Sequence, residues 1–256
     1  MKARSSLMIA ALAVLLVPTA RAQDPGLEGK VSFAAQGGIV TEISGNVLVH
    51  TEGTLFARDA TIFSNSYRQV YEVGFNDFNT ALTVSFGVKP GGEIFVRGSH
   101  FKKTPLAFLA GTVTYPGDDG PEVSDLAAIL EPYEEWGVEL GYRLYLAWRT
   151  RMKSFFAPVV GMRFTDRILI EQMSAADRGS FILNVPLYQP STVAVFGADI
   201  GFTFDLGSHF YLGLEAEIRY QTKLSPSENT FPGLTGINSG GQRWSAPVFL
   251  TAGLRF

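Results

Sequence analysis

The chain has 256 residues, 27 of them glycine, with 18% charged and 12% aromatic residues and a mean hydropathy of +0.14. A net charge of −3 gives no electrostatic footprint for nucleic acid, and with no cysteine there is no disulfide scaffold, thiolate zinc site or thiol catalysis. The three histidines, His50, His100 and His209, are scant material for metal or acid–base chemistry, and no cofactor or metal is expected.

At the N-terminus, Lys2 and Arg4 precede an apolar run over residues 7–17; Pro18 ends it, and Ala20-Arg21-Ala22 follows as a small-residue cleavage site. Residues 1–22 therefore read as a secretory signal peptide, which leaves residues 23–256 as one exported domain. No later apolar run approaches the ~20 residues of a transmembrane helix. If the remainder crosses a membrane, it must do so as a closed barrel, because lipid satisfies no backbone groups.

From residue 30 onward the pattern is period-two alternation, the mark of strands. Segment 30–40 shows it loosely. Segment 80–88 sets Leu82, Val84, Phe86 and Val88 against Ala81, Thr83, Ser85 and Gly87. Segment 93–101 is again loose. Segment 136–146 places Trp136, Val138, Leu140, Tyr142 and Leu144 opposite Gly137, Glu139, Gly141, Arg143 and Tyr145. Segments 156–164, 194–204, 210–220 and 248–256 repeat the scheme, most clearly where Leu212, Leu214, Ala216 and Ile218 oppose Gly213, Glu215, Glu217 and Arg219. The connections at 89–92, 148–153 and 206–208 are short, and those at 41–78, 104–134, 166–191 and 221–245 are long. Short turns at one end and long loops at the other mark an outer-membrane barrel. The expected fold is all-β: a transmembrane antiparallel up-and-down barrel of about eight strands, or ten if 40–43 and 47–49 pair within the wall.

Which face is buried decides between a soluble and a membrane barrel. An eight-stranded barrel encloses only enough space for side chains to fill. The Phe, Leu, Ile and Trp face is too bulky for that lumen, so it points to lipid. The other face combines small residues with Glu139, Arg143, Arg163, Asp199, Glu215, Glu217 and Arg219. Unpaired charges are costly in a narrow lumen, so these seven are expected to form a cross-lumen salt-bridge network, acting as a plug or lining a narrow gated path.

The loops add three expectations. Pro121 at a first-turn position, with Val123, Leu126, Ala127 and Leu130 at helical spacing, predicts a short helix over 121–130. Segments 168–173 and 181–187 predict a hairpin projecting beyond the bilayer. The carboxylates Asp118, Asp119, Glu122 and Asp125 lack the EF-hand spacing and read as a solvated acidic loop. Lys102 and Lys103, beside His100, form a basic cluster at a strand end suited to lipopolysaccharide phosphates. Trp136, Tyr142 and Trp148 are candidates for interfacial aromatic belts. Ser99 and His100 point to opposite faces as strand neighbours, and no catalytic pair is found.

The last residues alternate up to a terminal Phe256. This resembles the C-terminal signal that outer-membrane proteins present to their assembly machinery. Over 23–256 the chain resembles the small outer-membrane β-barrel superfamily of Gram-negative bacteria, of the OmpA-transmembrane, OmpX and OmpW type. The resemblance implies an outer-membrane location, contact with outer-membrane lipids and lipopolysaccharide, and short turns facing the periplasm. The alternation ends with the chain, so the cell-wall tethering of OmpA-type proteins is not carried over. Three functions follow: a structural or surface-interaction barrel acting through its loops, a small OmpW-like channel for ions or small apolar solutes, or a lipid-modifying enzyme. The first is the reading adopted, with no enzymatic activity expected.

Overall fold

The computed structural model describes residues 26–45, 51–55, 60–64, 79–104, 108–146, 148–175, 179–227 and 242–256. The signal peptide expected over 1–22, segment 47–49 and His50 lie outside them. The described residues form β1 (Val31–Gly45), β2 (Thr51–Leu55), β3 (Ala60–Ser64), β4 (Asn79–Lys89), β5 (Gly92–Lys103), β6 (Phe108–Gly117) and β7 (Gly120–Leu130). Then come β8 (Tyr133–Tyr145), β9 (Met152–Thr165), β10 (Ile168–Ala175), β11 (Gly179–Tyr188), β12 (Ser191–Asp205), β13 (Phe210–Gln221) and β14 (Arg243–Arg255). No helix occurs among the described residues.

Eight strands close into an antiparallel barrel in the ring order β1-β14-β13-β12-β9-β8-β5-β4. Each contains one of the eight segments whose alternation marks a strand, and 40–43 extends β1 rather than adding a ninth wall strand. Closure joins the first barrel strand to the last: Val31 N–H donates to Phe256 C=O at 3.0 Å and Phe256 N–H to Val31 C=O at 2.9 Å. Just before β1 the chain turns under the barrel, where Leu27 N–H donates to Pro90 C=O at 3.0 Å. The Leu27 side chain is buried against Tyr145 and Phe155, with Trp148 packed on them, and stoppers the short-turn end.

Alternation becomes geometry along every wall strand. On β4, Ala81, Thr83 and Ser85 are buried while Leu82, Val84 and Phe86 are exposed. On β8 the exposed face runs from Trp136 through Val138 and Leu140. Ten residue steps from 136 to 146, at about 3.3 Å each and tilted about 40°, span roughly 25 Å, the height of the apolar band on a transmembrane barrel.

At the long-loop end the wall continues into a second sheet, in the order β11-β10-β7-β6-β3-β2. Pro132 and Pro190 stand where two barrel strands meet their extensions, and a proline there withholds one ladder hydrogen bond. The hairpin expected over 168–187 is present as β10 and β11, paired antiparallel. Ile168, Leu169 and Ile170 are all buried, so the first residues of β10 are covered on both faces. The edge of β11 is strapped by residues beyond β13: Gln189 N–H donates to Ser225 C=O at 3.0 Å and Ser227 N–H to Leu187 C=O at 3.1 Å.

The helix expected over 121–130 is not formed; this segment is β7, paired with β6 from Phe108↔Ala128 to Gly117↔Gly120. Asp118 and Asp119 are the exposed two-residue turn between them, followed by Gly120 at φ +127°, a backbone region only glycine occupies easily. A run with apolar residues on both faces satisfies helical spacing and alternation alike. The ladder with β6 decides the outcome: Ser124, Ala128 and Leu130 turn inward, while Val123, assigned to the helix stripe, is 66% exposed.

Candidate functional site

The barrel interior concentrates the chain's unusual chemistry. Register places Arg97 of β5 opposite Glu139 of β8, and Glu93 opposite Arg143. It also places two like charges side by side, Asp199 of β12 against Glu217 of β13. Such a pair is unfavourable unless a cation intervenes. Two arginines do so. Arg97 lies on β5, four strands from β13 in either direction around the ring. Its guanidinium crosses the lumen to contact Glu215 and Glu217, and also reaches Asp199 at 3.2 Å and Glu139 at 3.5 Å. Arg219 reaches Glu139 at 3.0 Å, Asp199 at 2.5 Å and Glu217 at 3.1 Å. Arg97 and Asp199 are 1% and 0% exposed, so the braces are shielded from bulk solvent.

Two further layers flank this centre. Toward the short turns, Arg143 pairs with Glu93 at 2.5 Å and Glu215 at 3.3 Å, while Asp205 takes Lys153 and, at 3.2 Å, Arg255. Toward the long loops, Glu135 takes Arg243 and, at 3.5 Å, Arg163. Gln36 links the layers of side chains: its amide donates to Glu215 at 3.0 Å and its carbonyl accepts from the Thr83 hydroxyl at 2.9 Å.

All seven residues named from the sequence are buried in the lumen. Six of them lie in the connected centre and lower layer; Arg163 belongs to the upper layer with Glu135. Sequence reading missed Arg97, on which the centre converges, as well as Glu93, Glu135 and Arg243. The face of β5 that carries Glu93, Arg97 and Ser99 also carries Phe95 and Phe101, which blurs its alternation.

Large rings also enter the lumen, beyond the small residues and paired charges expected there. Phe95, Phe101, Phe155 and Phe249 are each at most 3% exposed. Arginines lie over three of them: Arg143 is 4.8 Å from the Phe95 ring centre and 4.4 Å from that of Phe155, and Arg163 is 4.4 Å from Phe101. Neighbouring glycines make the room. A Cβ on Gly141 would meet the Phe95 ring at 2.3 Å, and one on Gly253 would meet Tyr211 at 2.3 Å. Gly141→Val is therefore expected to destabilise the barrel by about 1–3 kcal/mol through overpacking, measured by urea unfolding of the lipid-inserted protein. Between the rings and charges is a cavity of about 10 Å³ beside Gln36, Thr83, Arg143 and Tyr211, room for about one water.

Asp199, Glu215 and Glu217 bring carboxylate oxygens within 4.8 Å of one another. Arg97 contacts all three and Arg219 two of them, so guanidinium groups take the place of a cation there.

The remaining candidates lie apart from the lumen's centre. Lys102 is exposed on the outer surface, whereas Lys103 is 3% exposed and faces inward, so the two do not form one surface cluster. His100 contacts Glu134 at 3.1 Å, and its ring centre lies 4.2 Å from that of Trp136. His209 Nδ1 is 3.0 Å from the Arg255 carbonyl, and its ring stacks on Phe256 at 5.7 Å. Phe256 is 63% exposed on the barrel exterior.

That exterior is apolar all round, from Phe33 and Leu82 to Phe164, Phe196, Leu214 and Leu250. A surface of this extent with charges inside is matched to hydrocarbon, not to water. Aromatic residues rim it: Trp136, Phe164, Tyr220 and Trp244 near the long-loop end, and Phe204, Phe210 and Phe256 near the short turns. The barrel spans a membrane.

No protein-family model and no curated protein matches the chain. Among solved structures it is similar to Neisserial surface protein A, at 8% identity and TM-score 0.47, over 90% of this chain and 100% of that one. It is also similar to Ail, the attachment invasion locus protein of Yersinia pestis, at 12% identity and TM-score 0.43, over 90% and 100% of the two chains. A third is the outer membrane protein OprG from Pseudomonas aeruginosa, at 12% identity and TM-score 0.42, over 90% and 97%. At these identities and scores none of them lends a function to this chain.

Proposed function

We propose that the protein is a closed outer-membrane β-barrel of a Gram-negative bacterium, with a structural or surface-interaction role carried by its outward hairpins. The apolar exterior and aromatic rims support the membrane, and residues 1–22, read as an export signal, support the compartment. The short turns and the Leu27 stopper then face the periplasm. The sheet of β2, β3, β6, β7, β10 and β11 stands outside, continuing the wall beyond the bilayer as ordered strands available to a partner. Phe256, lipid-facing at the end of the closing strand, suits recognition by the assembly machinery.

The observation that carries the closed-lumen reading is the pair of braces, Arg97 and Arg219, whose guanidinium groups join opposite walls in a buried cross-section. A channel for ions needs a continuous wet path, and this lumen is occupied by rings and paired charges along its length. The described histidines are engaged by Glu134 and by a backbone carbonyl, and no catalytic step is assigned to them. The test is single-channel recording of the detergent-purified, folded protein in a planar bilayer, with folding checked by heat-modifiable gel migration. A silent bilayer is expected. Discrete, reproducible conductance steps from folded protein would overturn the closed reading and place the function in the lumen.

A further inference from the structure

The stretch just ahead of β1 covers the short-turn mouth of the barrel. Residues 26–30 fold back as a tight turn in which Lys30 N–H donates to Leu27 C=O at 3.0 Å. Gly26 and Gly29 shape it at φ of +88° and +75°, where glycine carries no strain. Two bonds seat the turn on the β4–β5 connection: Leu27 N–H to Pro90 C=O at 3.0 Å and Gly29 N–H to Gly87 C=O at 2.8 Å. The seat depends on a close approach. Gly87 faces inward, and a Cβ on it would meet the Leu27 carbonyl oxygen at 1.7 Å. Across the mouth, a Cβ on Gly91 would meet the Trp148 ring at 2.6 Å. Leu27 and Trp148 thus close over bare backbone, with Tyr145 and Phe155 packed behind them.

Behind Leu27 lies polar space. The Tyr145 hydroxyl donates to Glu93 at 2.9 Å, and Glu93 pairs with Arg143 at 2.5 Å. Arg143 and Phe155 also line the small cavity beside Gln36. An apolar side chain at the mouth therefore separates this pair and this cavity from bulk water. The hold on it is local. The β1–β4 ladder starts beyond it, where Gly87 N–H donates to Lys30 C=O at 2.9 Å, and the β1–β14 seam starts at Val31 and Phe256. The turn can leave its seat by giving up one buried side chain and a few backbone bonds, with every barrel ladder intact.

We propose that residues 26–30 are a movable lid, and that release of Leu27 turns the lower lumen into a blind, water-filled chamber. The chamber reaches Glu93, Arg143 and the cavity beside Gln36 and ends at the Arg97 and Arg219 braces. It admits water and small polar solutes without becoming a channel. On the outer-membrane reading it opens to the periplasm, but the lid itself rests only on the packing at the mouth.

The chain has no cysteine, so a single introduced thiol reports alone. Ser85→Cys places one on the inward face of β4, two residues deeper than Gly87, at a position 3% exposed. Ser99→Cys places one on the long-loop side of Arg97, at a position 5% exposed. The full chain is exported, folded into nanodiscs that leave both mouths in water, and checked by heat-modifiable migration. Iodoacetamide labelling is then timed by mass spectrometry. Both thiols should be protected while Leu27 is in place. Leu27→Ala removes the plug, and Gly87→Ala forces its carbonyl away without changing it. Each should speed labelling of Ser85→Cys by about tenfold or more, as expected for a buried leucine's lost packing. Leu27→Met, which conserves volume, should keep it protected, and Ser99→Cys should stay protected throughout. If Ser85→Cys labels at one rate in every background, the lid is overturned. If Ser99→Cys speeds up equally in the lid variants, the whole barrel has loosened and the lid is again overturned. Neither result bears on the closed lumen, which fails only if folded wild-type protein conducts.

Discussion

Replacing Arg97 by alanine is expected to cost about 3–5 kcal/mol of barrel stability, the toll of leaving buried charges without their partner. Four carboxylates meet this one guanidinium: Glu139, Asp199, Glu215 and Glu217. They come from three strands, and Asp199 and Glu217 are direct cross-strand neighbours. Without Arg97 their mutual repulsion acts in a buried lumen, where low dielectric strengthens it. Lysine at this position should recover little, because a point charge cannot present a planar fork to several carboxylates at once. Adding Glu215→Gln and Glu217→Gln to Arg97→Ala should restore much of the loss, since it removes the charges left uncompensated. The measurement is urea unfolding of the vesicle-inserted barrel, followed by tryptophan fluorescence and gel migration. A loss below about 1 kcal/mol for Arg97→Ala would mean that the braces are incidental.

The sequence is most transparent where one face of a strand is uniformly apolar and the other polar. Strand β13 is the clearest case: Leu212, Leu214 and Ile218 face out, and Glu215, Glu217 and Arg219 face in. Alternation of that kind specifies register as well as strand, because a slip of one residue would exchange the two faces. Strand β5 is the counterexample. Ile94, Phe95 and Val96 are apolar in succession, so the inward set of Glu93, Phe95, Arg97 and Ser99 does not stand out. Phe95 can be inward because Gly141 lies beside it across the sheet. That is a relation between distant residues which no local window reports, and with it Arg97 stays hidden. Ring order had the same effect on the charges: that they share a face is readable from parity, but which crosses to which depends on β5 standing opposite β13.

The outer hairpins were harder to read for a different reason. Strand β10 is covered on both sides where it begins, so that stretch, Ile168-Leu169-Ile170, is continuously apolar and carries no period. In β7 the outward face keeps Val123, Ala127 and Ile129, and a strand with apolar residues on both faces imitates a helical stripe. What settles such a segment is its partner, and β6 lies across a two-residue turn whose Gly117↔Gly120 closure is legible only in retrospect. Lys103 follows the general rule of the wall: next to outward Lys102, it must face in.

Leu140→Arg should destabilise the inserted barrel by about 2–4 kcal/mol, the cost of a cation on the lipid face near mid-bilayer. Leu140 is 51% exposed and follows Glu139, which is 4% exposed and ion-paired with Arg219 at 3.0 Å. The two neighbours therefore bear opposite demands: charge is held at 139 and excluded at 140. In a water-soluble barrel an arginine on an exposed position such as 140 would change stability by no more than about 0.5 kcal/mol. The same substitution at exposed Val123, on the hairpin beyond the bilayer, is expected to fall in that range. The pair of variants thus reads the solvent of each region directly from urea unfolding in vesicles. Equal, small effects at both positions would mean that the apolar exterior faces something other than hydrocarbon. A large cost at 140 with none at 123 assigns the band around Leu140 to lipid and the β7 hairpin to water. This division is what places the charged braces inside a membrane and the ordered hairpins where a partner can reach them.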